Sequence, residues 1–347
     1  MGTVTKIARK WPTVVSALIV AGIAAMNVMA YRHAHAMMHF GGGTARTDKP
    51  ERLNPAERIR VLICGVTVPR PRTGLGTSAL DPRCRALTIP CNGQITLGAW
   101  YCPSSPDAPL VILFHGYAGE KTGTLREAKA FLELGFSVLL VDFRGSGDSS
   151  ESYTTIGYRE AEDVAAAVAH ARQHLPHSRV ILYGQSMGAA AVLRAVDWFG
   201  ARPDAIIVEA IFDRMLQTVR HRFEALGLPS FPGAELLVFW GGLQAGFNGF
   251  EHNPAKYAAS VACPILFLHG ADDVRARVEE ARRVFAAVPG SKQFEVFPAL
   301  GHEPSIARYP ERWKEAVGPF LKQAEAGVAR SGGNSTAVPL KWLFRGM

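Results

Sequence analysis

One serine in this chain stands where it can act as a nucleophile. The stretch Gly184-Gln185-Ser186-Met187-Gly188 follows an apolar, β-type run at 179–183 and precedes small, helix-forming residues up to Ala195. A strand that turns sharply into a helix at a serine exposes the hydroxyl, and it aims the free N–H groups of the helix N-terminus at a developing oxyanion. Gly184 and Gly188 give the turn room, because strand and helix pass close on both sides of it. A serine hydroxyl is a weak nucleophile near neutral pH, so Ser186 needs a base, and the base needs an orienting acid.

In a strand-and-helix chain of this kind the partners follow in the order serine, acid, histidine. Every histidine after Ser186 other than His302 lies at or before His269, so the last strand-and-loop unit offers His302 alone, within Gly301-His302-Glu303. The acid belongs on the loop after the strand that ends at Leu268, which reads His269-Gly270-Ala271-Asp272-Asp273. Asp273 is preferred, Asp272 is the alternative, and Glu209 and Asp213 stand in reserve. Two donors must meet the oxyanion. They are the backbone N–H of Met187, next to the serine, and that of Tyr117 in the early corner Phe114-His115-Gly116-Tyr117. His115 reads as a structural hydrogen-bonding group. The glycine-bearing run 142–149 lacks the lysine and third glycine of a phosphate loop and reads as a shaped loop beside the pocket.

The elements that must carry these residues alternate. Strands are expected at 110–114, 137–141, 180–183, 205–208, 265–268 and 293–297. Helices are expected at 125–134, 158–174, 187–198, 276–287 and 310–324. Such alternation implies an α/β fold, a mostly parallel sheet covered by helices on both faces, with ligands at the carboxyl ends of its strands. The glycine- and aromatic-rich insertion at about 210–260 suggests a helical cap over the site.

The chain begins differently. Lys6, Arg9 and Lys10 precede an uncharged stretch at 11–31, long enough to cross the hydrocarbon layer. The basic flank keeps the N-terminus cytoplasmic and puts the rest outside as a single-pass membrane protein. Val28-Met29-Ala30 also resembles a cleavage site, so a removed signal peptide is the rival reading. Residues 31–40 read as an interfacial continuation of the helix, with Tyr31 and Phe40 at headgroup depth. His35 and His39 share a helix face there but lack a third ligand, so no metal is expected, and no cofactor.

Residues 41–82 read as a linker, with 61–66 as a short strand or buried tether. The five cysteines show no metal-ligand spacing. A hairpin turning on Asn92-Gly93 would set Cys84 opposite Tyr101, so the thiols are expected to be free. The net charge of +8 is concentrated in the early arginines. It fits an anionic membrane surface, and no basic run is interleaved with aromatics as nucleic-acid binding would require.

Together these segments resemble the α/β-hydrolase superfamily over roughly 83–323, nearest in pattern to serine-aminopeptidase-like and monoacylglycerol-lipase-like hydrolases. The resemblance implies an α/β-hydrolase fold with a helical cap, a Ser186–Asp273–His302 triad and an oxyanion hole at Tyr117 and Met187. Asp273 is followed by Val274-Arg275 instead of the usual Val-Pro, a departure at the acid loop. The expected organisation is an anchor and interfacial helix at 1–40, a linker at 41–82, the hydrolase domain at 83–325 with its cap at about 210–260, and a flexible tail at 326–347. The expected reaction is hydrolysis of acyl or lipid esters. Thioester or peptide hydrolysis on the same triad, or a non-catalytic membrane-anchored scaffold, are the alternatives.

Overall fold

The structure is a computed structural model describing residues 2–48, 52–105, 107–177 and 179–331. Its helices are α1 (Gly2–Met38), α2 (Pro55–Cys64), α3 (Leu125–Glu133), α4 (Glu160–His174), α5 (Met187–Phe199), α6 (Met215–Ala225), α7 (Gly233–Ala245), α8 (Pro254–Tyr257), α9 (Val278–Ala287), α10 (Ser305–Arg308) and α11 (Pro310–Ser331). Its strands are β1 (Arg85–Pro90), β2 (Thr96–Cys102), β3 (Leu110–Phe114), β4 (Ser137–Val141), β5 (Val180–Gln185), β6 (Ala205–Glu209), β7 (Ile265–Gly270) and β8 (Lys292–Phe297).

The strands form one sheet in the order β1-β2-β4-β3-β5-β6-β7-β8, parallel from β4 to β8 and antiparallel at β1 and β2. The central strands read as continuous apolar runs because helices cover both faces. Leu110, Ile112 and Phe114 of β3 point into the core beneath α4 and α5, whereas Val111 and Leu113 point into a second core with Phe131 of α3 and Trp313 of α11. The parallel arrangement brings the ends of β3, β5, β6, β7 and β8 to one edge.

Four expectations are corrected. The hairpin turn closes one residue later than Asn92-Gly93 alone would set it, by the Ile95 N–H donating to the Asn92 carbonyl (3.0 Å) with Gly93 at φ +58°. Arg85 therefore pairs with Tyr101, and Cys84 comes to face Cys102, with which it forms a disulfide. Residues 61–64 belong to helix α2, not a strand, because Asn54 and Glu57 form a capping box ahead of them: the Glu57 N–H donates to Asn54 Oδ1 (2.9 Å) and the Asn54 N–H to Glu57 Oε2 (2.8 Å). Helix α11 runs on to Ser331, into the segment expected to be a flexible tail. The remainder of that tail, 332–347, lies outside the described residues.

The fourth correction concerns 31–40. Ala30, Ala34, Met37, Met38 and Phe40 are buried, and Phe40 packs with Val68 and Ala118 instead of facing headgroups. Helix α1 docks on α7, where the small residue Gly241 lets Ala34 and Met38 approach to 3.8 Å of where a side chain would begin. His35 and His39 stack at 3.9 Å, and His35 Nδ1 pairs with Gln244 Oε1 (3.2 Å). Residues 13–26 of α1 are exposed, and Thr13–Met38 is long and apolar enough to cross a membrane.

Candidate active site

Ser186 sits between β5 and α5 at φ 52°, ψ −110°, a backbone conformation that L-residues rarely adopt. The glycines around it are required by space. A Cβ on Gly184 would lie 2.6 Å from the Gly188 carbonyl oxygen, and one on Gly188 would lie 2.5 Å from that of Phe114. The Ser186 N–H donates to the Glu209 carbonyl (2.8 Å), which fixes the turn to the end of β6.

Ser186 Oγ lies 3.0 Å from His302 Nε2, and His302 Nδ1 lies 2.6 Å from Asp273 Oδ2. Asp273 is buried, and its other oxygen accepts the N–H groups of Arg275 (2.9 Å) and Ala276 (3.0 Å). Burial alone would raise its pKa. The His302 charge, the hydrogen bond from His302 and the Ala276 N–H outweigh that and hold the carboxyl below the usual carboxylate range. Asp272 is exposed on the same loop, and its N–H donates to the Leu300 carbonyl (2.9 Å). The acid loop and the histidine loop touch at Gly270, where a Cβ would lie 2.3 Å from the Leu300 oxygen and 2.5 Å from the Gly301 oxygen.

The reserve acids are engaged elsewhere. Asp213 is buried and bound by Arg283 Nε at 2.7 Å. Glu209 is buried, takes the Tyr183 hydroxyl, and accepts the Ser305 N–H (2.6 Å) and hydroxyl (2.5 Å), which fastens the start of α10 three residues beyond His302. This supporting role was not legible in the sequence, since Glu209 and Ser305 are far apart along the chain.

At the early corner, a Cβ on Gly116 would lie 3.8 Å from Ser186 Cβ, so the corner and the serine turn are adjacent. Tyr117 follows, with Ala118 at φ +51° turning the chain away. Met187 heads α5, and its N–H is one of the first-turn donors without an intrahelical acceptor. His115 is buried. Its Nε2 accepts the Phe143 N–H (3.1 Å) and its Nδ1 pairs with the Gly116 carbonyl (2.8 Å). The loop at 142–149 is held by the buried Lys121, which pairs with Asp142 and Asp148 at 2.6 Å each, and none of its residues lines the apolar cavity that Tyr117 borders.

That cavity, of about 650 Å³, is mostly apolar and lies between α1, α2 and the cap helices α6 and α7. Met29 and Met37 of α1 and Leu236 of α7 contribute to its walls. Ser186 and His302 are not among its lining residues. Tyr117 is, so the cavity adjoins the serine turn through that side chain.

The fold has counterparts among known proteins. A family model described as serine aminopeptidase, S33, matches residues 105–213. The esterase Pf2001 of Pyrococcus furiosus shares the fold with a TM-score of 0.63 at 24% identity, over 74% of this chain and 96% of that one. The chain has the α/β-hydrolase fold. Among similar proteins, the uncharacterised protein YqkD of Bacillus subtilis is 27% identical over 61% of this chain and 70% of its own length. The lysophosphatidylserine lipase ABHD12 of Danio rerio is 26% identical over 56% of this chain and 51% of its own length. The family-model match includes Ser186, Met187 and Tyr117 but ends before Asp273 and His302, so the geometry of those two rests on the structure alone.

Proposed function

We propose that this α/β-hydrolase is a membrane-bound serine esterase that cleaves acyl esters of lipids through an acyl-enzyme. The observation that carries the reading is the unbroken line from the Ser186 hydroxyl through the His302 imidazole to the Asp273 carboxylate. Ser186 Oγ attacks the ester carbonyl while His302 Nε2 takes its proton, and Asp273 holds the Nδ1 proton and stabilises the imidazolium. The N–H groups of Tyr117 and Met187 receive the oxyanion. His302 then protonates the departing alcohol, and the same imidazole deprotonates the water that releases the acid and restores Ser186.

The apolar cavity beside Tyr117 fits an acyl chain, since its volume of about 650 Å³ is that of a pocket for a small organic molecule. The name of the ABHD12 relative, a lysophosphatidylserine lipase, supports a lipid ester as substrate. Two observations support an extracytoplasmic domain: the basic residues Lys6, Arg9 and Lys10 ahead of the apolar stretch, and the Cys84–Cys102 disulfide, which persists in oxidising compartments.

The test is labelling of the detergent-solubilised full chain with a fluorophosphonate. Labelling that vanishes in Ser186→Ala is expected, together with turnover of p-nitrophenyl esters. A folded protein that takes no label, or a Ser186→Ala variant that labels as well as the parent, overturns the reading.

A further inference from the structure

Helix α1 meets the domain earlier than a simple tether would. Between Lys10 and Arg32 the chain carries no charge. At 1.5 Å per residue those residues span about 30 Å, the thickness of the hydrocarbon layer. Yet the domain already touches α1 inside that stretch. Trp240 Nε1 donates to Asn27 Oδ1 (3.1 Å), Asn27 Nδ2 donates to the Ile23 carbonyl (2.9 Å), and Gln244 Nε2 donates to the Tyr31 carbonyl (3.0 Å). Asn27 thus has its amide satisfied at a depth where water cannot serve it. Met26, Met29 and Ala30 also line the cavity. Five residues of overlap place the adjoining part of the domain roughly 7 Å into the apolar layer.

What the domain shows around α1 is apolar. No residue of α2 is buried, and Ile59, Leu62 and Ile63 share one of its faces, with Ile59 60% and Ile63 64% exposed. The Leu62 carbonyl lies 3.0 Å from His33 Nε2, so this helix lies directly beside α1. On α7, Phe239 and Leu243 form a second exposed pair, and Phe231, in the turn from α6, is 75% exposed. Arg52, ahead of α2, and Arg60, within it, are both exposed and suit anionic headgroups. Leu62 and Phe231 are exposed and also line the cavity, so its mouth opens on this apolar surface.

We propose that α2, Phe231 and the outer edge of α7 form a collar that seats in the bilayer around α1, so that the cavity opens into lipid and its ester substrate enters sideways from the membrane. The collar rests on the reading of α1 as a membrane span, and the substrate route rests on the esterase reading. Continuity with α1 favours the bilayer over a second protein as the occupant of this surface.

The experiment reconstitutes the full chain in vesicles, with single cysteines introduced as Ile63→Cys or Leu243→Cys in a Cys64→Ser background and labelled with a small fluorophore. Burial pushes the Cys91 and Cys263 thiols up to about 12, so both react slowly. Labels at 63 and 243 should lose at least half their emission to brominated lipids, whereas a label from Ser291→Cys, at the amino ends of the strands, should lose none. Retention on the vesicles in alkaline carbonate without quenching overturns the collar alone, and so does protection of the labels by a second copy of the chain. Release in carbonate overturns span and collar together. The double variant Ile59→Glu/Ile63→Glu should lower turnover of a long-chain ester embedded in vesicles at least tenfold and leave a soluble butyrate ester within twofold. Equal turnover of both substrates refutes sideways entry. Absence of any ester turnover in the parent protein refutes the esterase reading, while the quenching still decides the collar.

Discussion

Replacing Asp273 by asparagine tests the hydrogen-bond directions on which the chemistry depends. Asp273 Oδ1 accepts two backbone N–H groups, from Arg275 and Ala276, and Oδ2 faces His302 Nδ1 at 2.6 Å. An amide at this position must keep its oxygen toward the two N–H groups, because turning its NH2 to them would oppose three donors in a buried site. Its NH2 therefore faces His302 Nδ1. The imidazole must then accept at Nδ1 and carry its proton on Nε2, which points at Ser186 Oγ, so it can no longer take the serine proton. Loss of the correct tautomer in a triad costs about 10⁴-fold in kcat, equivalent to about 5.5 kcal/mol of transition-state stabilisation. KM should change little, because Asp273 lies behind the imidazole and does not touch the substrate. The assay is steady-state turnover of a soluble p-nitrophenyl ester by the purified full chain, beside Asp272→Asn, whose exposed carboxylate predicts an unchanged kcat. An Asp273→Asn enzyme that keeps more than a tenth of its kcat, or an Asp272→Asn enzyme that loses more, would refute the assignment of the acid.

Three further outcomes follow from the packing. Gly270→Ala places a methyl group 2.3 Å from the Leu300 oxygen; the histidine loop must move, and both kcat and stability should fall, the latter by about 1–3 kcal/mol in a denaturation series. Glu127 is buried, and desolvation, then the nearby Glu209, push its carboxyl up to about 8. Because its pKa is higher in the folded than in the unfolded chain, its contribution is intact below about 4.5 and is lost as pH rises through about 8, with a slope of at most about 1.4 kcal/mol per pH unit. Stability measured against pH should therefore fall less steeply over that window in Glu127→Gln than in the parent, and equal slopes would contradict the argument. Cys84→Ser opens a bridge spanning 18 positions and should cost about 3 kcal/mol by the chain-entropy estimate; an unchanged denaturation midpoint would count against the bridge.

The parallel core was legible because residues covered on both faces must be apolar throughout, as 110–114 and 138–141 are, and such runs leave little choice of state. The serine turn was legible for a steric reason, since both flanking glycines are forced by backbone atoms within 3 Å. The hairpin was legible as a hairpin but not in register. Asn92-Gly93 and Gly93-Gln94 can each occupy the centre of a tight turn, and the one-residue difference decides whether Cys84 meets Tyr101 or Cys102. At 61–64 the β-branched residues outweighed a signal that was present, the capping box from Asn54 to Glu57. The docking of 31–40 was hidden because an amphipathic helix end carries the same pattern whether its apolar face meets lipid or protein.

Tyr117 ties the end of α1 to the corner beside Ser186. Its backbone lies at the corner beside Ser186, its ring forms part of the cavity wall under the Arg222 guanidinium at 5.4 Å, and its hydroxyl donates to the Met37 carbonyl at 2.6 Å. Met37 is in the last turn of α1, where carbonyls have no partner within the helix. The tyrosine therefore closes the end of α1 with the same side chain whose backbone N–H is proposed to meet the oxyanion. A displacement of α1 would be felt at that N–H through one rigid ring. On the proposed reading, the oxyanion corner is set by the helix that is also the candidate membrane span, so its geometry is complete only when that helix is in place.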